Sequence, residues 1–294
     1  LIFQVSIANV TLGIDLQDLP AGMTRNWPGL KVEIPYDKFV GPKPDPLALI
    51  LKPSQSLPEK KYTHTFDSSA LWVLHHNGRS EFRVELKKGF RGPVLASVDV
   101  DLNKREGTVF YTEDGLRDEG TGFLPFVHPV DGVIFINLLP SCNGILLHAC
   151  GVDDHGRGYL FTGRSGDGKS TTATLWGDES GVKVLSDERI IIREFGEKFY
   201  AYGTPWHGQA EVCDPGRSEV REIFFLEHAE KNYTKNISPE EAAGRIFVRC
   251  LPTFWDKEGM ELSLSLIERI VRRVPCYEFG FVPDRGAVNF MRHF

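Results

Sequence analysis

The residues Gly163-Arg164-Ser165-Gly166-Asp167-Gly168-Lys169-Ser170 fit the pattern G-x-x-x-x-G-K-[ST] in full. Each part of the pattern has a physical task. The glycines let the backbone curl so that successive N–H groups face one concavity, which suits phosphate oxygens. The helix that follows adds the N–H groups and positive dipole end of its first turn. Lys169 brings a mobile charge to the β- and γ-phosphates, and Ser170 offers a hydroxyl to Mg²⁺. Gly163, Arg164, Ser165, Gly166, Asp167, Gly168, Lys169 and Ser170, with the adjoining Thr171, are the candidate nucleotide-binding residues. Asp167 is expected to point outward, since an anion beside phosphate is unfavourable. Such a site also needs a carboxylate to hold the metal or take a proton. Asp187 and Glu188 supply two, directly after the apolar run Val184-Leu185. Neighbouring residues on extended chain point to opposite sides, so one acid serves the metal and the other serves as base or orienter. The sequence leaves open which does which.

These residues need elements to hold them. Tyr159-Leu160-Phe161 reads as a short buried strand before the loop, and Ser170–Trp176 as the helix after it. Val182–Leu185 and Ile190–Ile192 read as two more strands, the first ending at the acidic pair. Ser238-Pro239-Glu240-Glu241 is a helix start with a capping box and Pro at the first helical position. Leu262, Leu266, Ile270, Val271 and Val274 are spaced for one face of a further helix, and Asp131–Leu139 reads as another. Alternating strands and helices predict an α/β architecture for this half. The first half reads as short strands. Glu81–Lys87 alternates polar and apolar residues, and Val98, Val100 and Leu102 alternate with Asp99 and Asp101. Pro28-Gly29, Gly41–Pro46 and Gly89–Pro93 punctuate it. The expected division is a smaller β-rich, α+β unit over 1–125, suited to substrate or partner recognition, and a nucleotide-binding unit over 126–294.

Composition narrows the function classes. The chain has 294 residues, with 34 Lys plus Arg against 40 Asp plus Glu. Its net charge of −6 gives no broad footprint for nucleic acid or an anionic membrane. No apolar run approaches the length of a bilayer span, and no secretory signal pattern opens the sequence. Five scattered cysteines, with no Cys-x-x-Cys pair, read as buried reduced thiols of a cytoplasmic protein. There is no His-Glu-x-x-His metal motif and no dinucleotide fingerprint.

The spacing adds a resemblance. Only eighteen positions separate Lys169 from Asp187, and His148 stands fifteen before Gly163. A G-x-S-G-x-G-K-[ST] loop, a His fifteen residues upstream and a strand-ending acidic pair resemble the HPr kinase and phosphoenolpyruvate carboxykinase superfamily. Within it the chain is similar to uncharacterised HPr-kinase-like proteins, which also carry segments like Gly203-Thr204-Pro205-Trp206. The likeness covers residues 140–210. The first half does not resemble the HPr-kinase N-terminal domain, and no copy of the HPr-kinase signature follows the acidic pair. The resemblance implies a P-loop domain of the carboxykinase/HPr-kinase type that binds ATP and Mg²⁺. It implies transfer of the γ-phosphoryl group to a hydroxyl, on a protein, peptide or small molecule. By the same resemblance His148, Lys169, Asp187 and Glu188 are the catalytic candidates, and Ser170 with Asp187 the metal candidates. His207, Arg164 and Arg189 are further candidates to reach the site, and Trp206 is expected to pack. A carboxykinase fits less well, because that family's oxaloacetate-binding residues have no counterpart here. A nucleotide-dependent binding module that transfers nothing is the alternative, because Glu188 stands where HPr kinases have a second Asp.

Overall fold

The structure, a computed structural model, describes residues 2–15, 36–40, 49–54, 56–69, 71–89, 91–112 and 129–294. The turns expected at Pro28-Gly29 and Gly41–Pro46, and the boundary expected near residue 125, lie outside the described residues. The chain forms two compact units: Leu1–Leu138 with Thr253–Glu258, and Leu139–Pro252 with Gly259–Phe294. It is a mixed α/β protein, mostly strands, with an eight-stranded sheet in each unit among the described residues. No described helix is long and apolar enough to cross a membrane.

The first unit carries β1 (Ile2–Ile7), β2 (Val10–Asp15), β3 (Leu49–Ser54), β4 (His64–Asp67), β5 (Trp72–His76), β6 (Glu81–Lys87), β7 (Val94–Asp101) and β8 (Glu106–Tyr111). Their order is β1-β2-β3-β8-β7-β6-β5-β4, with β3 parallel to both its neighbours. β6 follows its sequence pattern: Phe82, Val84 and Leu86 are buried and the polar residues between them are half-buried. β7 does not. Its inner six residues are all buried, Asp99 included. A bare buried carboxylate is costly, and here it is matched by charge and hydrogen bonds. Lys60 Nζ donates to Asp99 at 2.9 Å, Tyr62 Oη at 2.8 Å and Arg83 Nη2 at 2.7 Å. The expected helix is α1 (Val130–Leu138), buried on nearly every face.

The second unit contains β9 (Gly144–Asp154), β10 (Arg157–Thr162), α2 (Lys169–Gly177), β11 (Val182–Ser186), β12 (Arg189–Phe195), β13 (Lys198–Gly203), β14 (Arg217–His228), β15 (Tyr233–Asn236), α3 (Pro239–Phe247), α4 (mostly Gly259–Arg273, from a helix starting at Lys257), β16 (Cys276–Phe281) and α5 (Arg285–Arg292). β9 and β14 are long and change partners along their length. β9 pairs β12 over Gly144–His148, then β10 over Ala149–Asp154. β14 pairs β13 over Arg217–Glu219, then runs parallel to β10 and to β16. Helices cover both faces. On one, Leu147, Leu160, Ile190 and Phe225 pack with Ile246 of α3 and Ile267 and Ile270 of α4. On the other, Val152, Tyr159, Phe161, Phe224 and Phe279 pack with Trp176 of α2 and Val288 and Met291 of α5. Adjacent strand residues such as Leu160 and Phe161 thus feed different cores, as alternation requires. The expected α/β layering is present, but most strand pairs are antiparallel and only β10, β14 and β16 run parallel to each other.

Two local expectations change. Leu262 is 37% exposed, and the buried stripe of α4 runs through Ser263, Leu266, Ile267, Ile270 and Val271. Ser263 takes the inner place because its hydroxyl is satisfied by Gly259 O at 2.8 Å. At the start of α3, Ser238 Oγ accepts from Glu241 N at 3.2 Å, with Pro239 in the first turn. Glu241 does not close the box; its carboxylate pairs with Arg245 at 2.7 Å. All five cysteines are buried and unbridged, and burial pushes the Cys250 and Cys276 thiols up to about 12. They behave as small apolar side chains.

Candidate functional site

The loop Gly163–Gly168 leaves the end of β10 and enters α2 at Lys169. Gly166 and Gly168 adopt φ of 91° and 100°, left-handed conformations that glycine takes without penalty. At Gly168 space is limiting as well, since a Cβ there would lie 2.4 Å from Phe281 Cζ of β16. Gly168 is also the N-cap of α2 and supplies no side chain to it. The first-turn N–H groups therefore stay available to an anion.

Asp167 is half-buried and turns back rather than outward. Its carboxylate accepts the Arg164 N–H and packs over Gly163, so it closes the loop on itself. The local reason is an Asx-type turn, in which a short carboxylate satisfies nearby backbone. Lys169 is 5% exposed. Its Nζ donates to Gly163 O at 3.2 Å and Arg164 O at 3.0 Å, so the ammonium lies across the loop mouth. Burial holds its pKa below the ordinary lysine range, and the charges of Glu188 and Asp167 pull against that. Arg164, Ser165 and Thr171 are exposed on the rim.

The acidic pair follows β11 and its two members part company. Asp187 is fully buried. It accepts from Ser170 Oγ at 3.2 Å, Gly208 N at 2.8 Å and Ala210 N at 2.9 Å. Glu188 points elsewhere, with Oε1 2.7 Å from His148 Nε2. Both of those side chains retain more than a quarter of their exposure. The His148 contact, more than any other cause, holds the Glu188 carboxyl below the usual range; Lys169 and Arg189 add to it. β9 sets this geometry: His148 is paired with Arg189 of β12, and Ala149 N donates to Glu188 O at 3.0 Å. Thr162, the last residue of β10, donates its hydroxyl to His148 O at 2.8 Å. The loop, the acidic pair and His148 are thus brought together.

The segment after β13 reaches the site through its backbone. Gly208 and Ala210 hold Asp187, whereas His207 Nδ1 lies 3.1 Å from Gly208 O and Trp206 is buried as expected. The Gly-Thr-Pro-Trp-His-Gly segment stands out in the sequence, but the hold of the Gly208 amide, and of Ala210 just beyond it, on Asp187 does not. Nor do His228 and Arg249, which the fold brings to the loop and to His148. His228 Nε2 sits 3.0 Å from Gly166 O, and Arg249 O accepts the His148 N–H at 2.8 Å. No motif marks either residue. His228 follows only from topology, since β14 is parallel to β10 and its last residue arrives beside the loop.

Among the described residues no three His, Cys, Asp or Glu side chains converge as a self-contained metal cage. A Mg²⁺ ion does not need one. It keeps several waters and takes one or two protein oxygens together with phosphate. Ser170 Oγ and Asp187, 3.2 Å apart at the loop exit, are donors of the right kind.

No protein-family model matches the sequence, and no curated protein matches it. Among solved structures the chain is similar to the HPr(Ser) kinase/phosphatase from Coxiella burnetii. That match has 14% identity and a TM-score of 0.30, and covers 50% of this chain and 96% of the other.

Proposed function

We propose that the second unit is an ATP-dependent phosphotransferase that moves the γ-phosphoryl group to a hydroxyl. The observation that carries this is the hydrogen bond from Ser170 Oγ to Asp187. It joins a complete phosphate-loop sequence to a buried carboxylate from a separate strand, as metal-assisted phosphoryl transfer requires. Gly163–Ser170 and Thr171 would cradle the triphosphate, with Lys169 leaving its carbonyl partners for phosphate oxygens. Ser170 and Asp187 would hold Mg²⁺, which when bound neutralises charge on the β- and γ-oxygens. Asp187 is unsuited to meet an acceptor, being fully buried and tied to two amides. Glu188 is the better base. It is partly open, and the His148 contact favours its charged form, the form that accepts the hydroxyl proton. The acceptor is a serine of a protein or peptide, or a small alcohol.

The test is incubation of the full chain with γ-labelled ATP, Mg²⁺ and Ser-containing peptides or small alcohols. Label should appear on an acceptor, and Glu188→Gln should abolish transfer while retaining ATP binding. Tight ATP binding without transfer to any acceptor, unaffected by Asp187→Ala, would instead identify a nucleotide-dependent binding module. A chain that binds no nucleotide sinks both readings.

A further inference from the structure

We propose that Arg249 is a second phosphate-binding cation of this site and contacts the terminal phosphoryl group beside Lys169. The assignment rests on Gly163–Ser170 being a phosphate loop. Its own support is separate. After α3 the chain docks along β9: Arg249 O accepts from His148 N at 2.8 Å, and Leu251 N donates to Leu146 O at 2.9 Å. Cys250 forms a bridge with Leu147 between them. Arg249 is therefore fixed at the backbone of His148, the residue that faces Glu188.

Its side chain is charged, half-buried and unmatched. Nη1 donates to Arg245 O at 2.9 Å, and the guanidinium lies 5.7 Å from the centre of the Phe225 ring. Nε is buried without a hydrogen-bond partner. No carboxylate of the described residues forms an ion pair with it. The neighbouring Arg245 makes the contrast, since Glu241 and Glu278 neutralise it at 2.7 and 2.8 Å. Around Arg249 the charges are those of the loop and its surroundings. Burial, the largest influence, lowers its pKa; Asp167 and Glu227 attract it, and Arg245 and Arg164 repel it. Lys169 also feels Arg249 as a repelling neighbour. Thr162, the residue just before the loop, donates to His148 O, so the strand edge that holds Arg249 is also the one that leads into the loop, and buried Lys169 and half-buried Arg249 feel each other's charge. A multiply charged phosphoryl group relieves both, and a planar guanidinium can bind two of its oxygens at once. Arginine in that place neutralises charge that develops during transfer.

The experiment measures equilibrium binding of ATP and ADP, each with Mg²⁺, to the wild-type chain, Arg249→Gln and Arg249→Lys. Removing a charge-assisted contact to the terminal phosphoryl group should weaken ATP by about tenfold or more. ADP should change by less than about twofold, because it lacks that group. Arg249→Lys should show a smaller loss, still selective for ATP. A folded Arg249→Gln with unchanged ATP affinity, or with equal losses for ATP and ADP, overturns the assignment. If Arg249→Gln does not fold, Arg249→Lys decides, and absence of an ATP-selective loss there overturns it. A wild-type chain that binds neither nucleotide overturns the phosphate-loop reading itself, a result distinct from failure at Arg249 alone.

Discussion

Gly208→Ala tests the least obvious part of the proposed site, a glycine outside the Gly163–Gly168 loop. A Cβ at this position would lie 2.8 Å from Asp187 Oδ2 and 3.1 Å from both Cβ and Oε2 of Glu188. Backbone strain is not the issue, since Gly208 does not adopt a positive φ. The substitution acts by steric displacement of one or both carboxylates. Moving Asp187 forfeits the 2.8 Å bond from Gly208 N and strains the one from Ala210 N. A hydrogen bond to a charged group contributes about 1.5–3 kcal/mol, and overpacking costs about 1–3 kcal/mol. Partial relaxation leaves an expected loss of about 2–3 kcal/mol, or a fall in Tm of roughly 4–12 °C for a unit of this size. The second consequence is functional. Ser170 loses its partner, so Mg²⁺-dependent ATP binding should weaken while metal-free ATP binding changes little. Thermal melts and calorimetric titrations with and without Mg²⁺ read both effects. A double-mutant cycle with Asp187→Asn is the decisive check, because the two substitutions act through one contact and should be strongly non-additive. Additive losses, or a Gly208→Ala chain that melts and binds like wild type, would refute the idea that this glycine exists to seat Asp187.

His148→Gln should move the acidic limb of the transfer rate to higher pH. His148 depresses the Glu188 pKa, so without it the carboxyl rises toward its ordinary value and takes up its proton sooner as pH falls; an unmoved limb in the kcat–pH profile would count against the pairing. The same sign applies to stability: the pair stabilises above the unfolded-state Glu pKa and that contribution is lost as pH falls through the folded one. Lys169→Ala should abolish measurable ATP binding, while Lys169→Arg should bind weakly because the longer fork does not fit over Gly163 O and Arg164 O. In the first unit, Asp99→Ala leaves Lys60 and Arg83 in part-buried positions without their shared acid and should cost about 3–5 kcal/mol in urea denaturation. Asp99→Asn, which keeps acceptor capacity, should cost less.

The turn over Gly163–Gly168 and its flanking strand and helix were legible because the pattern is local: eight consecutive residues specify the turn, and the strand and helix follow from short-range periodicity. β6 and the Ser238 cap of α3, though not its full capping box, were legible for the same reason. What failed was decided by distant partners. Asp99 reads as the solvent side of an alternating strand, and only Lys60, Tyr62 and Arg83 make its burial tolerable. Leu262 reads as core at helical spacing, but Ser263 can take the inner position by satisfying its own hydroxyl. Asp167 was placed outward by charge alone, whereas the Arg164 N–H three residues away satisfies its carboxylate locally. The roles of Asp187 and Glu188 were left open because adjacency on a strand says only that two side chains diverge. The amides of Gly208 and Ala210 on one side and His148 on the other distinguish them, and neither partner is near in sequence.

Two kinds of strand pairing assemble the site, and β9 links them. The loop is held from the parallel side. β10, β14 and β16 end together, so His228 meets Gly166 and Phe281 underlies Gly168. The acidic pair is held from the antiparallel side, where β11 and β12 both pair with β9. β9 runs between them and fixes their separation, pairing Ala149 with Thr162 and His148 with Arg189. A shift of one residue in either register would turn His148 to the opposite face and separate Ser170 from Asp187. The apolar residues of β9 oppose such a shift. Leu147 and Ala149 belong to one core and Cys150 and Val152 to the other, so a slip would misplace both sets at once. The distance across the site is therefore specified by the two hydrophobic cores, not by the polar residues that work there. Conservative core substitutions such as Val152→Ala should accordingly alter nucleotide binding without touching any polar group of the site.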